Sequence, residues 1–172
     1  MGMLIRVVGG LLILSMLAVG GLLIGARLSD GPIAIIAGGP FTSGTLTRDP
    51  EEPDWSFVHD IREVEFQLLE PARSRTTWIV EHEGRAYIPS GYMTTWWGKI
   101  WKRWPHEAER DGRALLRIGD AIYERQLVRI EAGPLLAPVI DELSRKYLGA
   151  AEIPVEAVTS GQLWLFELAP PG

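Results

Sequence analysis

The stretch SGYMTTWWGKIWKRWPHEAER, residues 90–110, sets Trp96, Trp97, Trp101 and Trp104 within nine positions and threads Lys99, Lys102 and Arg103 between them. Indole faces stack on flat conjugated rings, and ammonium and guanidinium groups make charge-assisted hydrogen bonds to phosphate. The residue types therefore suit a flat, anionic ligand. Two other readings fit the same residues. Trp97, Trp101 and Trp104 stand at i, i+4 and i+7, one face of a helix, which suits core or lid packing. Tryptophan and lysine near a tethering helix also suit the headgroup level of a bilayer, although the stretch is short and Pro105 lacks a backbone donor.

Other chemistry has little to stand on. The three histidines are His59, His82 and His106, and HEAER puts Arg110 where a metalloprotease helix needs its second histidine. No serine occupies a nucleophile elbow and no glycine-rich phosphate loop follows a strand. The chain has no cysteine, which excludes a thiol nucleophile, a disulfide and a lipidated cysteine. Tyr87, Tyr92 and Tyr123 are possible proton donors, but half-buried aromatics on strands is the simpler reading. Glu124 with Arg125, and Asp111 with Arg113, read as solvated cross-strand pairs worth under about 1 kcal/mol each.

The elements that must position these residues begin with an uncharged run, VVGGLLILSMLAVGGLLIGA, over residues 7–26, bounded by Arg6 and Arg27. Roughly 20 apolar residues at about 1.5 Å each match a hydrocarbon layer of about 30 Å. A cleaved signal peptide is the rival; its apolar region is normally shorter and ends in a small-x-small site, whereas Ile24 stands where the second small residue belongs. The reading is an uncleaved single-pass anchor over 1–28. The slight excess of positive charge before the span puts the N-terminus inside and the domain on the outer side. Residues 29–54, rich in Gly, Pro, Ser and Thr, read as a linker interrupted by the apolar run 33–37, which either lies on the membrane or adds a strand. Length leaves room for one domain, 55–170. Overall 17 basic residues face 22 acidic ones, and a net acidic domain is a poor partner for nucleic acid.

From residue 55 the pattern is mostly period two. In REVEFQLLE, Val64, Phe66 and Leu68 alternate with Glu63, Glu65 and Gln67, a strand with one face toward solvent. TTWIVEHEGRAYIPS predicts strands over 76–82 and 85–89 joined at Glu83-Gly84. RALLRIGDAIYERQLVRIEA predicts a second hairpin turning at Gly119-Asp120, where glycine tolerates positive φ. PLLAPVIDELSRKYLG carries Leu136, Val139, Ile140, Leu143 and Tyr147 on one helical face and stops at Gly149. QLWLFELAP supplies a last strand. The fold class expected is α+β, mainly β: a small antiparallel split barrel with short flanking helices, preceded by one N-terminal transmembrane helix.

Over residues 55–168 the chain resembles the split β-barrel superfamily of pyridoxamine-phosphate-oxidase-like flavin-binding proteins and deazaflavin-dependent nitroreductase-like proteins. RTTWIVEHEGRAYIPSG as first hairpin, WKRWPHEAERDGRALLRIGDAIYERQLVRI as helix and second hairpin, and PLLAPVIDELSRKYLG as late helix carry the resemblance. It implies FMN or a deazaflavin as cofactor, with Thr76, Thr77, Ser90, Lys99, Lys102 and Arg103 as phosphate or ring contacts and Trp97 and Trp101 beside the ring. It also implies a homodimer and oxidoreductase chemistry on a small organic substrate, the cofactor supplying the hydride step. Glu81 and His82 stand where the flavin oxidases tend to carry a basic residue, Lys99 is nine residues past Ser90, and an asparagine frequent in the helix before the second hairpin is replaced by Glu107 or Ala108. These departures motivate the alternative: a barrel without cofactor that serves as a membrane-tethered binding or assembly module.

Overall fold

The structure, a computed structural model, describes residues 2–47, 52–149 and 151–172, with the side chains of residues 99–101 excepted. It begins with α1, Gly2–Leu28, a 27-residue helix long and apolar enough to cross a membrane and not buried along its apolar stretch. A signal sequence near the N-terminus meets the same criterion of length and hydropathy. The strands follow as β1 Thr45–Leu46, β2 Glu63–Leu69, β3 Ala72–Trp78, β4 Val80–His82, β5 Arg85–Ser90, β6 Arg113–Ile118, β7 Ala121–Ile130 and β8 Trp164–Ala169. Between them lie a 3-10 turn, Trp55–Asp60, and the helices α2 Trp96–Trp101, α3 Trp104–Arg110, α4 Leu136–Tyr147 and α5 Glu156–Thr159.

One curled sheet runs in the order β3-β2-β6-β7-β8-β5-β4, antiparallel throughout, with the two-residue β1 added in parallel to β7. The expected class, α+β and mainly β, is what the chain adopts. β7 holds the two halves together: Ala121 to Gln126 pair with β6, and Gln126 to Ile130 pair with β8. The ends of the path, β3 and β4, are consecutive in sequence with only Ile79 between them. The strand expected over 76–82 is therefore bent at Ile79: its first part pairs with β2 and its second with β5. A chain that pairs on opposite ends of a curling sheet cannot keep one ladder, and the bend is where the barrel wall turns.

The bend leaves the Ile79 amide and carbonyl outside any strand ladder, and the residue is fully buried. Two side chains of α4 take them. The Ile79 amide donates to Tyr147 Oη at 2.9 Å, and Lys146 Nζ donates to the carbonyls of Ile79 at 2.9 Å and Val58 at 2.8 Å. Buried backbone groups need such partners. α4 presents Leu136, Val139, Ile140 and Leu143 to Val80, Tyr87 and Leu165 on the outside of β4, β5 and β8, the face its sequence periodicity predicts. Gly149, at φ 64°, ends the helical segment's exit.

Inside the sheet, Val64, Phe66 and Leu68 of β2 meet Leu116, Leu127, Ile88, Phe166 and Leu168. Trp104 reaches in from α3 and lies 4.8 Å from the Phe66 ring and 5.2 Å from Phe166, between strands on either side of the interior. Trp55 enters from the 3-10 turn, whose N-cap Asp54 accepts from the Ser56 amide.

The stretch expected as a linker crosses the outer face of the sheet like a strap. Thr76, Glu65, Arg117 and Ile122 are successive cross-strand partners on β3, β2, β6 and β7. Along that row, Ala34 accepts from Thr76 Oγ1, Asp30 pairs with Arg117, and Leu46 pairs with Ile122. The strap buries Ser74 and leaves Gln67 only 5% exposed. Ser74 Oγ donates to Gly39 O at 2.6 Å, and the Phe41 amide donates to Gln67 Oε1 at 2.6 Å. Gln67, which alternation assigns to solvent, is thus covered. Residues 48–51 of the expected linker lie outside the described residues.

Candidate functional site

The residues singled out for a cofactor lie on β3, at the end of β5, and on or just after α2. On β3, Thr76 is exposed and donates to Ala34 O at 3.3 Å, while half-buried Thr77 contacts Pro89 O at 3.5 Å. Ser90, at the end of β5, is 1% exposed. Its hydroxyl faces Met93 Sδ at 3.5 Å, inside the barrel rather than at its mouth. Tyr92 then adopts φ 64° and turns the chain outward into α2, which Thr95 caps by accepting from the Gly98 amide. Gly98 is needed there, since a Cβ would stand 1.9 Å from Tyr92 O.

The tryptophan face expected at i, i+4 and i+7 is broken. Lys102 leaves the helical region at ψ 67°, closing α2 with its amide on Gly98 O, and α3 restarts at Trp104 with Pro105 in its first turn. Proline lacks an amide, and a first turn is where that is harmless. The break separates the tryptophans: Trp104 is 5% exposed in the core, whereas Trp96 is 76% and Trp97 42% exposed. Trp97 packs on Tyr92 with ring centroids 4.9 Å apart. Arg103 is exposed; Lys102 is half-buried, and burial lowers its ammonium pKa. The side chains of Lys99 and Trp101 lie outside the described residues. What the geometry does bring together is an exposed aromatic pair, Tyr92 and Trp97, with Trp96 and two cations on the same short segment.

The tyrosines divide differently from the sequence expectation. Tyr87 is fully buried under α4 and its hydroxyl has no partner among the described residues; burial, then the Glu167 charge, pushes its pKa up. Tyr123 packs edge-on to Trp55 at 5.1 Å. Of the two pairs expected in solvent, Asp111–Arg113 is a surface pair at 2.7 Å. Arg125 is not: it is 8% exposed, pairs with Glu52 at 2.6 Å and lies over the Trp55 ring. Glu52 also accepts from Trp55 Nε1 at 2.8 Å, a partner 73 residues away in sequence from Arg125 that period-two reading has no means to find.

An open cleft of about 480 Å³ lies elsewhere, between the β4–β5 turn and α4, lined by Glu81, His82, Glu83, Asp141, Glu142 and His59. Arg145 partly neutralises it by donating to Glu142 at 2.6 Å. Four carboxylates make this cleft unsuited to an anionic cofactor. No motif in the sequence marks it, because its two walls are about 60 residues apart in the chain.

The strap's junction with α1 carries a polar cluster on the sheet's outer face. Arg117 pairs with Glu65 at 2.6 Å and Asp30 at 2.9 Å, and its guanidinium lies 4.1 Å from the centre of the Phe41 ring. Asp30 in turn accepts from the Thr42 amide at 2.8 Å and from the Ser43 hydroxyl. These bonds, the Ser43 hydroxyl foremost, hold the Asp30 carboxyl well below the usual carboxylate range. Gly39 runs so close to the end of α1 that a Cβ would stand 2.6 Å from the carbonyl oxygens of Arg27 and Ser29.

No protein-family model matches the chain, and no curated protein sequence matches it. Among solved structures, the crystal structure of the conserved hypothetical protein Rv2991 from Mycobacterium tuberculosis is similar, at 14% identity and a TM-score of 0.49, covering 73% of this chain and 87% of that one.

Proposed function

We propose that this chain is a split-barrel protein tethered to a membrane by residues 7–26, with the barrel on the outer side, serving as a binding or assembly module at the bilayer surface. The observation that carries this reading is the junction of helix and barrel. A flexible tether needs no contacts after its span. Here Asp30, two residues after α1, is fastened to Arg117, and Gly39 packs against the end of α1. Such a junction holds the barrel in one pose relative to α1, which suits presentation of a surface. The membrane part is tested by alkaline carbonate extraction of the full chain from membranes: retention supports the span, and release into the soluble fraction refutes it.

The oxidoreductase reading, with FMN or a deazaflavin and a small organic substrate, is favoured by one observation. Tyr92 and Trp97 form an exposed aromatic pair close in sequence to Lys102 and Arg103, the ingredients for stacking a ring and holding a phosphate. In the related superfamily the cofactor sits at a homodimer interface, so the test uses the full chain in detergent micelles with its oligomeric state measured by light scattering. Saturable quenching of tryptophan fluorescence by riboflavin phosphate or a deazaflavin, abolished by Lys102→Ala with Arg103→Ala, supports the oxidoreductase. Absence of quenching by both, from a folded protein, supports the module.

A further inference from the structure

Residues 33–36 form an apolar tip. The Ile33 amide donates to Ile36 O at 3.1 Å and the Ile36 amide to Ile33 O at 2.9 Å, closing a tight turn with Ala34 at φ 51°. Ile35, at its apex, is 83% exposed and Ile33 41%. An isoleucine so exposed at the end of a closed turn covers no part of the barrel core.

The base of the tip is held rigidly. Arg73 donates to Gly38 O at 3.2 Å and to Ala37 O at 3.1 Å, the Gly38 amide donates to Ser74 O at 3.0 Å, and Thr76 Oγ1 reaches Ala34 O. Its two legs touch, since a Cβ on Gly38 would overlap Gly31 O at 1.8 Å. The tip therefore projects from the point where α1 ends. Four residues separate Leu28 from Ile33, and the five steps between them reach at most roughly 17 Å. No charged side chain occurs from residue 31 to residue 47, and Asp30 is matched by Arg117. Burial, then the Arg27 charge, lowers the Arg73 pKa, and these two cations, one at the end of α1 and one bonded to the base of the tip, suit anionic headgroups.

We infer that the tip is a second membrane contact: Ile35 and Ile33 enter the headgroup–acyl boundary of the same bilayer that α1 spans, and the strap fixes the barrel against that surface. The occupant is the lipid interface rather than another protein, because the tip lies within a few residues of a span and is too narrow to bury a partner's face. This inference rests on the membrane reading of α1.

The test exploits the absence of native cysteine. Ile35→Cys, Leu14→Cys and Val128→Cys variants of the full chain, each carrying a small environment-sensitive fluorophore, are reconstituted in phosphatidylcholine–phosphatidylglycerol vesicles. Val128, 44% exposed on the β8-paired half of β7, is the water-facing reference. Expected are a several-fold lower iodide quenching at position 35 than at 128, and strong quenching at 35 by headgroup-attached nitroxide. Iodide quenching at 35 equal to that at 128, with position 14 protected, overturns the inference and leaves the tether standing. Protection at 35 without nitroxide quenching also overturns it, in favour of a second copy of the chain. Iodide access at position 14 overturns the tether and the inference together.

Discussion

Tyr147→Phe isolates one hydroxyl at the bend between β3 and β4. The Tyr147 ring stacks on Trp78 with centroids 4.3 Å apart and planes 6° from parallel, and phenylalanine keeps that contact. The hydroxyl is lost, and with it the acceptor for the Ile79 amide at 2.9 Å and a donor to the carbonyls of Arg62 and Ile79. One proton serves one carbonyl at a time. Since Lys146 already occupies Ile79 O, the Tyr147 proton is best placed on Arg62 O. Burial pushes the Tyr147 pKa up to about 12, so the hydroxyl keeps that proton at neutral pH. The main cost is the orphaned amide of Ile79, which is fully buried: about 1–3 kcal/mol for an unsatisfied buried donor. For a chain of this size about 2 kcal/mol lowers the Tm by roughly 4–8 °C. Thermal unfolding of the full chain in detergent micelles, followed by tryptophan fluorescence, reads the shift. Lys146→Met is the comparison, expected to cost less because removing a buried ammonium also removes its desolvation penalty. A Tyr147→Phe shift under about 1 °C would refute the account of how the bend is held.

The Asp30 clamp is pH-dependent in a known direction. Its carboxyl titrates lower in the folded protein than in the unfolded chain, so the stabilisation is present above the ordinary carboxylate range and is lost as pH falls below about 4; protection of the Thr42 amide from hydrogen exchange falls between pH 6 and pH 3, and Asp30→Asn abolishes that dependence. Gly39→Ala places a methyl against two backbone oxygens that cannot yield, and raises proteolytic cleavage within residues 29–47 by an order of magnitude for a cost of about 1–3 kcal/mol; unchanged cleavage counts against a tight junction. Ser90→Ala removes a hydroxyl whose contact is a sulfur at 3.5 Å, so Tm changes by no more than about 2 °C, and a larger loss means the hydroxyl has another role.

What the sequence determined follows from periodicity and local turn chemistry. Alternation in REVEFQLLE reports β2, the Glu83-Gly84 and Gly119-Asp120 turns report two hairpins, i/i+3/i+4 spacing reports α4, and the uncharged run before Arg27 reports α1. Each depends on neighbours within one element, where a side chain's face is set by its own backbone. Tertiary structure decided the rest. The bend at Ile79 exists because β3 and β4 find partners on opposite ends of the sheet. Gln67 and Arg125 are buried by a strap and by Glu52, contacts 26 and 73 residues away in sequence. The break at Lys102 sends Trp104 inward and leaves Trp97 outside, although their i and i+7 spacing allows one continuous face. Propensity and period fix which face of a segment is apolar, but what covers that face depends on free energy gained across the whole barrel, and no local window contains it.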